Sequence, residues 1–223
     1  MKARVKEWLR MVRGGETLTV EFKQQIPKLH RLARSFSAFS NSGGGTIFFG
    51  VEDNGEIRGL VHLQGTEDLV NQVAQFHCDP PVHPETQVWP IPGGNPVLVV
   101  EIPEAAQKPV FAVNPKDPKD AWPYFRSESE NLPLDKKSMK TMRRRPAVSV
   151  ESDLRGLDRH AVNMLNYLDD HPRSTVGQMA KTTNISTTRA KKIVVHLERN
   201  GWIHGFFNEK RREYSLAIPW RKR

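Results

Sequence analysis

Two patterns of hydrophobic and polar positions follow one another along the chain and change near residue 150. In the first part, residues 18–23 alternate between apolar and polar side chains, which predicts a strand with one buried face. Residues 28–41 carry apolar side chains at helical spacing. Residues 46–51 form a continuous apolar run, which is typical of a central strand buried on both faces. This part is therefore predicted to mix helices and strands.

Turn signals and capping residues divide the rest of the first part. Asn54-Gly55 predicts a hairpin turn. Thr66 predicts the N-terminal cap of a helix that has acidic residues in its first turn. The polar residues 114–120 predict a loop between two short strands. We place the first domain at residues 1–145.

The second domain, residues 156–223, follows a linker at 146–155 and is predicted to contain three helices and then two strands. This order is typical of a winged helix-turn-helix domain, in which the third helix enters the major groove and the wing tip meets phosphate. The stretch "LERNGWI" resembles winged-helix domains of bacterial and archaeal transcription regulators. The residues predicted to contact nucleic acid are Ser186, Thr187, Thr188, Arg189, Lys191 and Lys192 in the third helix and Lys210, Arg211 and Arg212 in the wing. The alternative is a winged helix that contacts proteins.

The charge of the chain changes this picture by favouring a polyanionic partner. The formal net charge is +9, of which residues 148–223 carry +6 and residues 1–147 carry +3. DNA or RNA is therefore the expected partner, and the alternative is a basic protein that binds neither. The chain lacks both a signal-peptide pattern and the run of about 20 apolar residues that a membrane span requires. With Cys78 as its single cysteine, it can form no internal disulfide, and we expect a cytoplasmic protein.

The stretches "GETLTVEFKQ" and "FSAFSNSGGGTIFFGVEDNGEIRGL", between Gly15 and Leu60, resemble the Schlafen-type AlbA domain. The later "WPYFRSESENLPLD" resembles the closing strand of that domain. The resemblance extends to about residue 140. It implies an α+β fold with a mixed, largely antiparallel sheet flanked by helices.

The same resemblance implies candidate catalytic residues, because the family includes Schlafen RNA endonucleases with a metal-binding acidic centre. By position, the two glutamates and the aspartate of that centre are Glu16, Glu21 and Asp53. Mg²⁺ or Mn²⁺ suits three carboxylates and activates water, and Lys23 would neutralise charge on phosphate. The alternative interpretation is structural: Glu21 pairs with Lys23 or Arg58, Glu16 caps a turn and Asp53 shapes the hairpin turn.

The turn "NSGGGT" lacks the Gly-Lys-Ser/Thr ending of a phosphate-binding loop, so ATP is not an expected cofactor. Other members of the family are described as DNA- or ATP-binding domains. Three hypotheses stay open. The chain is a DNA-binding transcription regulator that acts as a homodimer on a palindromic site, a metal-dependent endoribonuclease for tRNA or rRNA, or an adaptor that binds a partner protein.

Overall fold

A mixed sheet of four strands forms the centre of the first part in the computed structural model, which describes residues 2–143, 157–208 and 211–220. The elements of this part are α1 (Lys2–Arg13), β1 (Val20–Lys23), α2 (Leu29–Asn41), β2 (Gly45–Phe49), α3 (Leu63–Phe76), β3 (Cys78–Asp79), β4 (Glu85–Trp89), β5 (Val97–Ile102), β6 (Phe111–Asn114), β7 (Asp117–Trp122), β8 (Tyr124–Ser127), β9 (Glu130–Pro133) and α4 (Lys136–Met142). The strand order of the central sheet is β1-β2-β5-β4.

The strands β1 and β2 pair in parallel, with Glu21 opposite Ile47, while β5 is antiparallel to both β2 and β4. The mixed α+β fold is thereby confirmed. Side chains alternate along β2, so that Ile47 joins the core under α2 and α3 whereas Phe48 joins a second core under α1. The prediction that this strand is buried on both faces is confirmed.

Two local predictions for the first part are wrong. Helix α3 begins at Leu63, so Thr66 lies inside the helix, and its hydroxyl donates to the carbonyl of His62 instead of capping. Most of the predicted loop 114–120 belongs to β7, which pairs with β6 through Asn114 and Asp117. The polarity of this segment indicates its exposure, and the edge of β6 supplies the hydrogen-bonding partners that make it a strand.

The second part consists of α5 (Arg159–Asp170), α6 (Val176–Thr182), α7 (Thr187–Asn200), β10 (Ile203–Asn208) and β11 (Arg211–Leu216). This is the predicted order of three helices and an antiparallel hairpin. Asn184 adopts a positive φ of 52° in the turn between α6 and α7, and Gly201 ends α7 in the left-handed conformation. The predicted linker at 146–155 lies outside the described residues.

The two parts of the chain contact each other through the hairpin of β10 and β11. Ile203 packs in the core under α5–α7, whereas its neighbours His204 and Phe206 point the other way and pack on Phe125 of β8. The ring centroids of Phe125 and Phe206 are 5.5 Å apart. The hairpin is therefore covered on both faces. Within the described ranges, no helix combines the length and hydropathy needed to cross a membrane.

Candidate functional site

The Glu21 carboxylate lies in the interior of the first part, where its residue is only 3% exposed. Strand β1 directs this side chain towards α2, and the Ser35 hydroxyl donates to Oε1 over 2.7 Å. Lys23 Nζ lies 2.9 Å from the same oxygen, and Arg126 Nη1 lies 2.7 Å from Oε2. Both oxygens are thus engaged by groups of the chain itself, which agrees with the structural interpretation in which Glu21 pairs with Lys23.

Arg126, which the sequence argument did not single out, is fully buried at 0% exposure. Its guanidinium donates to Glu21, to Asn131 Oδ1 over 2.9 Å and to the carbonyl of Thr17 over 2.8 Å, and it lies over the ring of Phe39. Burial lowers the pKa of Arg126, and the negative charge of Glu21 opposes that shift. The available signal was an arginine in the apolar strand "YFRS", which requires a buried acidic partner.

The other two predicted carboxylates lie in turns outside β1, although the negative charge of Glu16, like that of Glu21, opposes the lowered pKa of Arg126. Glu16 Oε1 accepts a hydrogen bond of 2.7 Å from the backbone N–H of Phe22. This side chain therefore provides a partner for one backbone donor at the open edge of β1. Asp53 is exposed in the turn after β2, where Asn54 Oδ1 accepts the N–H of Glu56.

The acidic residues do not fit the metal that the family resemblance implies. No group of three or more His, Cys, Asp or Glu side chains in the described part of the chain is arranged to hold a metal ion. Glu21 is also neutralised by two cations, which reduces its attraction for a third. The catalytic assignment of Glu16, Glu21, Asp53 and Lys23 stays a prediction.

Helix α7 presents the predicted nucleic-acid residues on one exposed face. The helix begins where Ser186 Oγ accepts the backbone N–H of Arg189 over 3.2 Å. Its apolar face is buried through Ala190, Ile193, Val194 and Leu197. The opposite face is directed to solvent because of the helical period. The exposed residues at this end are Ser186, Thr187, Thr188, Arg189, Lys191 and Lys192.

The cations on this face differ in how far they are neutralised. Arg189 lies 4.0 Å from the carboxylate of Asp158, at an exposed position where such a pair is weak. Lys191 and Lys192 form no ion pair with any residue that the structure describes. The positive charge of the two lysines is therefore directed outwards from α7.

Arg212, which was predicted to offer its charge to phosphate at the wing tip, forms ion pairs with two carboxylates of the chain. Its side chain is 15% exposed and lies 2.7 Å from Asp135 and 2.6 Å from Glu198, and it also donates to Ser138. Burial lowers the pKa of Arg212, but the Asp135 hydrogen bond and the charge of Glu198 outweigh burial and raise the pKa overall. The position of Arg212 in the sequence suggested the tip of the β10–β11 hairpin, whereas its side chain lies between this hairpin and the first part of the chain.

Lys210 and Arg211 are the two remaining residues that were predicted to contact phosphate from the wing. Arg211 is exposed and pairs across the hairpin with Asn208. Lys210 lies outside the described residues. The contribution of Lys210 and Arg211 to nucleic-acid binding stays a prediction.

Comparison with known proteins gives similar solved structures, one of which is described here, and a matching family. The DIP2311 protein from Corynebacterium diphtheriae is 19% identical with a TM-score of 0.45, over 75% of this chain and 38% of that chain. No curated protein matches the chain. The model of the Schlafen, AlbA_2 family matches residues 16–135, which is more than half of the 223 residues and spans β1 to the start of α4. The chain therefore belongs to the Schlafen AlbA_2 family.

Proposed function

We propose that the chain is a DNA-binding transcription regulator in which residues 157–220 act as a winged helix-turn-helix domain. The observation that carries the proposal is the exposed, unpaired positive charge of Lys191 and Lys192 on α7. Membership of the Schlafen AlbA_2 family supports a function related to nucleic acids. The net charge of +9 supports a polyanionic partner.

The dimensions and the chemistry of α7 suit the major groove of DNA. A helix of 14 residues is about 21 Å long, and the groove is wide enough to admit it. Thr187, Thr188 and Arg189 at its N-terminal end would face base edges, as the first residues of a recognition helix do. Lys191 and Lys192 would contact phosphate.

The hairpin contributes to DNA binding only through its tip in this proposal. Both of its faces are covered, by α7 on one side and by Phe125 on the other. Phe207 is 62% exposed, and Asn208 and Arg211 beside it are also exposed. The wing would therefore reach phosphate through Arg211.

A salt titration of duplex binding tests the proposal. Fluorescence anisotropy with a labelled random duplex is measured for the wild type and for the Lys191→Ala/Lys192→Ala variant over a series of salt concentrations. We expect weaker binding by the variant, and a slope of log K against log salt that is smaller by about 0.9 for each phosphate contact removed.

The matched control is Lys6→Ala/Arg10→Ala, which removes two exposed cations one turn apart on α1. This variant has the same change in net charge, so a non-specific electrostatic effect would weaken both variants equally. Equal affinity of the wild type and the Lys191→Ala/Lys192→Ala variant for the duplex would contradict the proposal that α7 contacts DNA. Gel filtration of the complex tests the expected homodimer, which binds one duplex with two chains.

A further inference from the structure

A cavity of about 320 Å³ lies between the two parts of the chain. The turn before β1 contributes Leu18, and the tip of the β8–β9 hairpin contributes Glu128. The second part contributes Leu168 and Asp169 from α5, and Trp220 lies beyond β11. This volume is within the range of small-molecule sites, which occur preferentially at the interfaces between domains. The cavity is separate from the face of α7 that is proposed to bind DNA.

The described lining of the cavity is largely apolar, and both of its charged residues are acidic. Leu18 and Trp220 supply apolar surface, whereas Leu168 is almost completely buried, and the Trp220 indole is held in place because its Nε1 donates to Asn166 over 2.7 Å. Among the described residues that line the cavity there is no Lys, Arg or His. An apolar molecule of suitable size would be desolvated here.

The two carboxylates of the lining have no ion-pair partner among the residues that the structure describes. Glu128 and Asp169 are exposed and form no ion pair with another residue in the described ranges. Arg173, three residues beyond α5, pairs instead with Glu130. An organic cation is attracted by Glu128 and Asp169, whereas an anion of the same size is repelled.

We propose that this cavity is a binding site for a small organic cation with an apolar body, such as an arylalkylammonium. The apolar body lies against Leu18 and Trp220, and the ammonium group lies at the rim beside Glu128 and Asp169. Because the ligand contacts both parts of the chain, its binding favours the docked arrangement of the two parts. The proposal rests on this cavity alone and is independent of whether α7 binds DNA.

The test uses three probes that share an aromatic body and differ in charge: 2-phenylethylammonium, neutral 2-phenylethanol and anionic 3-phenylpropionate. Binding to the full chain is followed by ¹H–¹⁵N chemical-shift titration. We expect 2-phenylethylammonium to bind more tightly than 2-phenylethanol and 3-phenylpropionate to bind most weakly. The Glu128→Gln and Asp169→Asn variants should each weaken the binding of 2-phenylethylammonium by about fivefold, which corresponds to the loss of one exposed charge pair. Neither variant should change the affinity for 2-phenylethanol.

Two further variants separate loss of the cavity from loss of the fold. Glu7→Gln removes an exposed carboxylate of α1, outside the cavity, and should leave the binding of all three probes unchanged. Leu18→Trp fills the cavity and should abolish binding of both 2-phenylethylammonium and 2-phenylethanol, while circular dichroism shows a folded chain. Absence of 2-phenylethylammonium binding to the wild type would overturn the proposal. So would equal affinity for 2-phenylethylammonium and 2-phenylethanol, or binding that survives in the folded Leu18→Trp variant.

Discussion

Asp135 and Arg212 form an ion pair of 2.7 Å between the start of α4 and the hairpin of the second part. The same carboxylate caps α4, because its Oδ1 accepts the backbone N–H of Ser138 over 2.7 Å. Arg212 also pairs with Glu198 of α7, so one guanidinium connects three elements. Both Asp135 and Glu198 are buried. The contact between the two parts of the chain is therefore a buried, hydrogen-bonded ion network and not a loose surface contact.

Removing the Asp135 carboxylate should destabilise the chain more than removing a helix cap. We expect Asp135→Ala to lower the free energy of unfolding by about 3 kcal/mol or more, because it removes a cap and leaves the buried Arg212 with one partner fewer. Urea denaturation followed by circular dichroism measures the change. The control is Ser186→Ala, which removes only the cap of α7 and should cost about 1 kcal/mol. Equal losses in the two variants would contradict a role for the ion pair.

Neutralising Glu21 should destabilise the first part strongly. The Glu21→Gln variant leaves the fully buried Arg126 without its carboxylate, which we expect to cost about 3 to 5 kcal/mol in the free energy of unfolding. Chemical denaturation provides the measurement. Glu52→Gln, which removes a partly exposed partner of the exposed Arg58, should cost less than about 1 kcal/mol.

The Glu21→Gln variant also addresses the endoribonuclease hypothesis. Incubation with tRNA in the presence of Mn²⁺ or EDTA would reveal any metal-dependent cleavage by the wild type. If the variant lost such cleavage while it kept wild-type stability, the structural assignment of Glu21 to the Arg126 ion pair would be refuted.

The Cys78 thiol should be unreactive in the folded chain. Burial raises its pKa to about 12, so the reactive thiolate is scarce near neutral pH, and the residue is also shielded from reagents. We expect a disulfide reagent to modify Cys78 only after denaturant is added, with one thiol released per chain. Rapid modification of the folded chain at about pH 8 would show that the thiol is accessible.

The stability of the fold should fall as His77 becomes protonated. Burial lowers the pKa of His77 below its usual value of 6.5, so the folded chain favours the neutral imidazole. The unfolded chain takes up a proton first as the pH falls. Stability from this group is therefore present above about pH 6.5 and is lost as the pH falls through the lowered pKa.

Melting temperatures at a series of pH values between about 7.5 and 5 test this dependence against His77→Gln. As the pH is lowered over this range, we expect the melting temperature of the wild type to fall more steeply than that of His77→Gln. His62→Gln changes an exposed histidine and should follow the wild-type curve. Parallel curves for wild type and His77→Gln would show that His77 does not contribute.

The elements that follow from local pattern were predictable, and the contacts that join distant segments were not. The continuous apolar run of β2 predicted a central strand correctly, since burial on both faces needs only apolar residues in sequence. The alternation around Glu21 placed it on a polar face, but α2 covers that face, and its partner Arg126 lies 105 positions along the chain. The ion pair of Arg212 was not predictable for the same reason, because 77 positions separate it from Asp135.

The covered hairpin of β10 and β11 has a consequence for how the two parts are held relative to each other. Phe206 and Phe125 pack together, so side-chain contacts set the orientation of α7 with respect to β8. Inserting residues between α4 and α5 should therefore leave this orientation unchanged, because loop length affects the entropy of closure only slowly.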